Sequence, residues 1–100
     1  MIKHIVLWKI KENAEGKSKA ENIQMVKEML LSLKNLPMLI ELEVGINAEN
    51  ADKSNFDISL LTVFNSIDNL NAYQVHPDHK AVAAYIGKVR EERACIDYTF

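Results

Sequence analysis

Hydrophobic and polar positions alternate over the first ten residues, and this period of two predicts a strand over residues 2–10. One face of the strand carries apolar residues together with a histidine and a tryptophan, and the opposite face carries Ile5 and Leu7. Since both faces are apolar, both should be covered in the folded protein. The first face consists of Ile2, His4, Val6, Trp8 and Ile10.

A helical repeat follows the polar segment 11–16, which ends the strand. Ser18 and Glu21 have the spacing of a capping box, which marks the start of a helix. Apolar residues then recur at helical spacing as far as Leu36, and Pro37 cannot continue the helix. The predicted helix therefore has one buried stripe: Ile23, Val26, Met29, Leu30, Leu33 and Leu36.

Alternation returns twice in the second half of the chain. It predicts strands over residues 38–46 and 56–64, with a polar loop between them. Ser66 can cap a short helix, and Pro77 suits the first turn of another. Residues 93–100 are predicted to form the last strand.

The element order is β-α-β-β-α-β, with the second helical segment in two pieces. It predicts an α+β, ferredoxin-like protomer in one domain, residues 1–100, with helices on one face of a four-stranded antiparallel sheet. The other face would display an apolar patch that soluble monomers rarely tolerate. The simplest cover is a second copy, so we expect a homodimer through the open sheet face, forming a dimeric α/β barrel. The alternative is a monomer whose open face stays wet. The patch consists of Ile5, Leu7, Leu61 and Val63.

Composition limits the partners and the compartment. The chain has 12 basic and 14 acidic residues and a net charge of −2, so it lacks a basic footprint for nucleic acid or an anionic membrane. The single cysteine, Cys95, cannot form an internal disulfide, and its place in a predicted strand favours a small core residue. No segment approaches the roughly 20 apolar residues of a membrane span. We therefore expect a cytoplasmic protein without nucleic-acid or membrane partners.

Candidate chemistry is concentrated in His4, Tyr73 and His79. A tyrosine hydroxyl beside an imidazole offers a donor for a carbonyl and a base for a proton, which suffices for enolisation or aldol-type ring closure without a cofactor. Tyr73 and His79 could both face the gap between helices and sheet. Each residue also has a structural interpretation: His4 as an inert histidine at the end of the sheet, and Tyr73 as an amphipathic core residue.

Neither a metal site nor a cofactor is predicted. His76 and His79 lie three residues apart, but zinc needs at least three protein ligands, and Pro77 separates the two histidines. His4 or Asp78 would have to supply the third ligand. The favoured interpretation of His76 is a residue that caps or packs the start of the helix.

Residues 3–9, 56–59, 73–79 and 96–99 together resemble the stress-responsive A/B barrel family, also called the dimeric A/B barrel (Dabb) domain. The most specific part is the string Tyr-x-x-His-Pro-x-His at residues 73–79. The resemblance covers essentially the whole chain and implies a ferredoxin-like protomer and a homodimer that packs sheet against sheet. The family includes plant stress proteins and a plant polyketide cyclase that makes olivetolic acid.

Similarity to that cyclase implies that His79 is a base, that Tyr73 polarises or orients it, and that His4 lines the pocket. The chain departs from the cyclase at Asp57, where the cyclase has a histidine. It departs again on the last helix, where Val82 and its alanine neighbours are smaller. The substrate of the cyclase is therefore not carried over.

These observations predict a pocket between sheet and helices that binds a small organic ligand. Two functions remain open: binding without turnover, and a cofactor-independent lyase or cyclase acting on a carbonyl compound. A cofactor-free monooxygenase on the same dimeric barrel is a further alternative. The candidate catalytic residues are His79, Tyr73 and His4, and the candidate substrate-binding residues are Val6, Trp8 and Val82.

Overall fold

A computed structural model describes residues 1–100, and it confirms the ferredoxin-like α+β architecture. A four-stranded antiparallel sheet has the strand order β4-β5-β1-β6, and three helices cover one of its faces. The elements are β1 (Ile2–Ile10), β2 (Asn13–Ala14), β3 (Lys17–Ser18), α1 (Lys19–Leu31), β4 (Glu41–Ile46), β5 (Ile58–Phe64), α2 (Ile67–Val75), α3 (Pro77–Val89) and β6 (Arg90–Thr99). None of the three helices has the length and hydropathy that a membrane crossing requires.

The central strand β1 carries the core on one face. Its even-numbered residues are all buried, whereas its odd-numbered residues are only half-buried, as the alternation predicts. Strands β5 and β6 pair with β1 on either side, so every side chain of β1 has cross-strand neighbours. The core between sheet and helices includes Ile10, Val26, Leu30, Phe64, Tyr73 and Val89.

Helix α1 begins where the capping box predicts, with Ser18 and Glu21 bonding to each other's backbone amides. It ends at Leu31, five residues before the predicted end. The Ser32 hydroxyl donates to the Met29 carbonyl, and the chain continues in i→i−3 turns that still bury Leu33. The apolar stripe was therefore identified correctly, but its last turn is not α-helical.

The polar segment 11–16, predicted only to end the first strand, contains half of a small hairpin. Strands β2 and β3 pair around Glu15 and Gly16, which have φ angles of 52° and 72°. Positive φ at both central residues is typical of a type I′ turn, which matches the twist of paired strands. Alternation could not predict these two strands, because their four residues are too few to show a repeat. Only the glycine indicated the turn.

A buried polar cluster joins the hairpin to two helices. Asn22 is fully buried on α1, and its amide donates to the Ala14 carbonyl at 3.0 Å. The Tyr85 hydroxyl on α3 donates to the Asn22 side-chain oxygen at 2.7 Å. These bonds satisfy an amide whose burial would otherwise cost about 1–3 kcal/mol.

The last strand is longer than predicted, starting at Arg90 rather than at residue 93. It lies at the edge of the sheet, and nearly all of its residues are exposed. The prediction that Cys95 is a core residue is wrong, because this residue lies on an edge strand and is exposed. Strands β4 and β5 begin at Glu41 and Ile58, later than predicted, because turns occupy the preceding residues.

Candidate functional site

A cavity of about 210 Å³ lies between the sheet and helix α3. Its size is equivalent to about seven liquid waters, below the usual range of about 300–1,000 Å³ for sites that bind drug-sized ligands. The sheet supplies part of the wall through β1, because the even-numbered side chains of that strand point toward the helices. The sheet residues in the wall are His4, Val6, Trp8 and Leu60, and those from helix α3 include His79, Val82, Ala83, Ile86 and Gly87.

His4 is the most deeply placed polar group in this wall, with only 2% of its side chain exposed. Its Nδ1 is hydrogen-bonded to the Asp97 carboxylate, which the β1–β6 register places directly across from it. The Asp97 side chain is 39% exposed. An Nδ1–H donated to a carboxylate fixes the tautomer in which Nε2 is an acceptor. Since Nε2 has no partner within the chain, it is the nitrogen available to the cavity.

Cys95 completes a small cluster on the β6 side of His4. Its Sγ lies 3.6 Å from His4 Nδ1 and 3.8 Å from the Asp97 carboxylate, so one ligand atom from each of the three residues falls within 4.8 Å of the others. Imidazole, thiolate and carboxylate are zinc ligands, and these are the residues that could hold a metal ion. Burial, reinforced by the Asp97 charge, raises the pKa of the Cys95 thiol. The thiol is therefore protonated at neutral pH, and the cluster is held together by hydrogen bonds.

His79 enters the cavity from the first turn of α3. The chain turns at His76, whose ring accepts a hydrogen bond from the Asp78 amide, and Pro77 opens the helix. The two histidines therefore have different roles. His76 caps the helix as predicted, and only His79 lines the cavity. Burial lowers the pKa of His79, so its ring is neutral at pH 7. Its Nδ1 is buried and has no hydrogen-bond partner.

Tyr73 lies behind His79 and does not line the cavity. Its side chain is fully buried, and its ring contacts the His79 ring edge-on with 4.5 Å between centroids. Burial raises the pKa of Tyr73 to about 12, and its hydroxyl has no hydrogen-bond partner. The expectation that Tyr73 forms part of the pocket wall is therefore wrong. The ring of Tyr73 instead packs in the core, together with Leu70 of α2 and Phe64 of β5.

Sequence reasoning missed Gln74 on α2 and three polar groups of the last strand: Asp97, Arg90 and Arg93. All three belong to β6, whose partner on β1 lies about ninety positions earlier in the chain. Alternation could have indicated that Arg93 and Asp97 share a face. Without the register, however, nothing in the sequence identified that face as the one beside His4.

Comparison with known proteins gives a family match over nearly the whole chain. A model of the family described as "Stress responsive A/B Barrel Domain" matches residues 2–100. A stress-response A/B barrel domain-containing protein of Arabidopsis thaliana is 27% identical over 98% of this chain. The match covers 46% of that relative, so the chain spans about half the length of the curated protein.

Solved structures share the architecture. A dimeric protein of unknown function with a ferredoxin-like fold, from Bacteroides fragilis, is 30% identical with a TM-score of 0.84, over 99% of this chain and 95% of that one. The hydroxynitrile lyase of Passiflora edulis is 20% identical with a TM-score of 0.80, over the same shares of the two chains. The second likeness concerns the fold alone.

Tyr73 and Tyr85 should respond oppositely to loss of their hydroxyls. Tyr73→Phe removes an unpartnered buried hydroxyl, so we expect the free energy of unfolding to rise by about 1 kcal/mol. Tyr85→Phe removes the donor to buried Asn22, so we expect a loss of about 0.5–1.5 kcal/mol. Urea unfolding of the two variants measures both changes. Equal destabilisation would mean that the Tyr73 hydroxyl is hydrogen-bonded in solution.

Proposed function

The chain belongs to the stress-responsive A/B barrel domain family, and we propose that it forms a homodimer that binds a small organic ligand in the cavity beneath α3. The cavity carries the proposal. It combines an apolar wall with a few polar groups at fixed positions. The apolar wall includes Val6, Trp8 and Val82. That combination is typical of small-molecule sites, in which apolar area supplies affinity and convergent polar groups fix the orientation of the ligand.

The open face of the sheet supports the homodimer. Ile5 lies between Leu61 on β5 and Ile96 on β6, and the 59% exposure of Ile96 leaves apolar surface open to solvent. A shallow pocket on this face is lined entirely by hydrophobic residues. A second copy would bury this patch, and the solved relative from Bacteroides fragilis is described as dimeric.

A charge in the middle of this face should separate the protomers. In the Ile5→Glu variant each copy would bring a carboxylate into the apolar interface, so we expect it to sediment as a monomer at micromolar concentration while the wild type sediments as a dimer. Ile67→Glu is the matched control, because Ile67 is exposed on the helix side of the molecule. A wild-type monomer, or an Ile5→Glu variant that remains dimeric, would contradict the proposed interface.

The mouth of the cavity allows ligand binding to be blocked without harm to the core. Gly87 lines the cavity, and a Cβ built there meets no atom within 4 Å. Cyclohexanone, a single ring with one carbonyl group, serves as the probe ligand. In Gly87→Leu the larger side chain should fill the entrance and weaken binding of this probe by at least about tenfold. Because glycine is a poor helix former, the same variant should gain about 0.5–1 kcal/mol of stability.

Quenching of Trp8, the only tryptophan of the chain and a wall residue, measures that binding. Ala84→Leu is the control, because Ala84 is exposed on the same helix and does not line the cavity. Binding that is unchanged in Gly87→Leu, or equally weakened in both variants, would place the ligand elsewhere.

A cofactor-independent lyase is the second candidate, and the Asp97–His4 pair favours it. A carboxylate that orients an imidazole is the usual arrangement of a general base, and His4 Nε2 is the nitrogen open to the cavity. Such a base could take a proton from the carbon or hydroxyl next to a carbonyl or nitrile group of the ligand. The hydroxynitrile lyase of Passiflora edulis has the same fold. His79, the base implied by the family resemblance, has its ring against Tyr73 and lacks an orienting carboxylate.

Exchange of the α-hydrogens of cyclohexanone for deuterium in D₂O, followed by NMR, tests this second candidate. If His4 is the base, His4→Gln should slow the exchange by about 10²–10⁴-fold, and Asp97→Asn should slow it less. Cys95→Ser is the control, because it changes the neighbour of His4 but keeps the bond to Asp97. A loss of exchange in His79→Gln, with none in His4→Gln, would assign the base to His79 instead.

A further inference from the structure

A β-bulge turns two arginines of β6 toward the cavity. The register pairs Arg93 with Trp8 and Arg90 with Ile10, and it shifts by one residue between these pairs. Trp8 and Ile10 are two residues apart and share the helix side of β1, whereas the arginines are three apart and would face opposite sides of a regular strand. The extra residue, Glu91, restores the match, so both arginines lie on the helix side.

Both arginines line the cavity, and neither forms an ion pair within the chain. The other polar residues of the wall are His4, His79 and Gln74, and no aspartate or glutamate belongs to it. The carboxylate of Asp97 lies behind this wall and is hydrogen-bonded to His4.

The charge of the cavity wall is opposite in sign to the net charge of the chain. The protein as a whole carries a net charge of −2, yet the cavity is lined by two permanent cations and by no acid. The positive charge of Arg93 acts on groups inside the cavity. It lowers the pKa of His79 further, in addition to the larger effect of burial. Guanidinium groups that have no ion-pair partner at the mouth of an apolar cavity are suited to a carboxylate, which they can bind through paired N–H donors.

We infer that the ligand is a small organic monocarboxylate, whose apolar body lies against Val82 and Ile86 and whose carboxylate lies between Arg90 and Arg93. This inference rests on the proposed ligand-binding function and adds the chemical class of the ligand. The cavity volume limits the body of the ligand to about one ring or a short chain. Because the arginines are exposed at the mouth, the carboxylate remains near solvent and its attraction is weakened by salt.

The test compares two molecules of nearly equal shape, cyclohexanecarboxylate and cyclohexanecarboxamide, by quenching of Trp8 at low and high salt. The wild type should bind the carboxylate about tenfold more tightly than the amide at low salt, and this preference should shrink at high salt. The double variant Arg90→Gln/Arg93→Gln should lose the preference while it still binds the amide. The control Lys34→Gln/Lys80→Gln removes the same charge at exposed positions outside the cavity and should retain the preference.

Each outcome separates the inference from the function on which it rests. Equal binding of carboxylate and amide by the wild type overturns the anionic ligand and leaves the binding cavity intact. A preference that survives in Arg90→Gln/Arg93→Gln overturns the role of the arginines. Displacement of the carboxylate by an equal concentration of inorganic phosphate overturns the organic body as a determinant. Binding of neither molecule at millimolar concentration overturns the proposed function itself.

Discussion

The pairing of β1 with β6 is the constraint on which the site depends. Strand β1 brings His4 and Trp8 to the helix side of the sheet, but a histidine alone in an apolar wall has no defined tautomer. Only the antiparallel register with β6 sets Asp97 opposite His4 and Arg93 opposite Trp8. A slip of one residue would turn both β6 side chains to the opposite face, leaving His4 without its carboxylate partner and the cavity without the Arg93 cation.

The sequence carries enough local information to predict most of the architecture. Alternation in β1, the Ser18 capping box and the Ser66 cap each depend on residues within a few positions of one another, and each is present in the structure. The placement of His4, Val6 and Trp8 in one wall follows from the same period of two. These features were predictable because local backbone geometry and hydrogen bonds between residues close in sequence determine them.

What the sequence did not reveal depends on distant contacts. The Asp97–His4 bond joins residues 93 positions apart, and the bulge at Glu91 is visible only once the register is known. Tyr73 shows that distant contacts can also exclude a residue that was expected at the site. The sequence allowed it to be either a core residue or a residue facing the gap. The choice is decided by how α2 and α3 pack, which no local pattern encodes.

The cavity and the open face are not independent, because the same two strands form both. Away from the bulge, neighbouring residues of each strand point to opposite sides of the sheet, so Ile96 belongs to the proposed interface while its neighbour Asp97 is bonded to His4. Strand β6 is an exposed edge, and the protomer alone holds it only through its pairing with β1. In the proposed dimer the partner would pack against Ile96 and fix β6 from the other side. Dimerisation would then orient Asp97, which holds His4, and the arginines of the cavity without contributing any residue to the cavity wall.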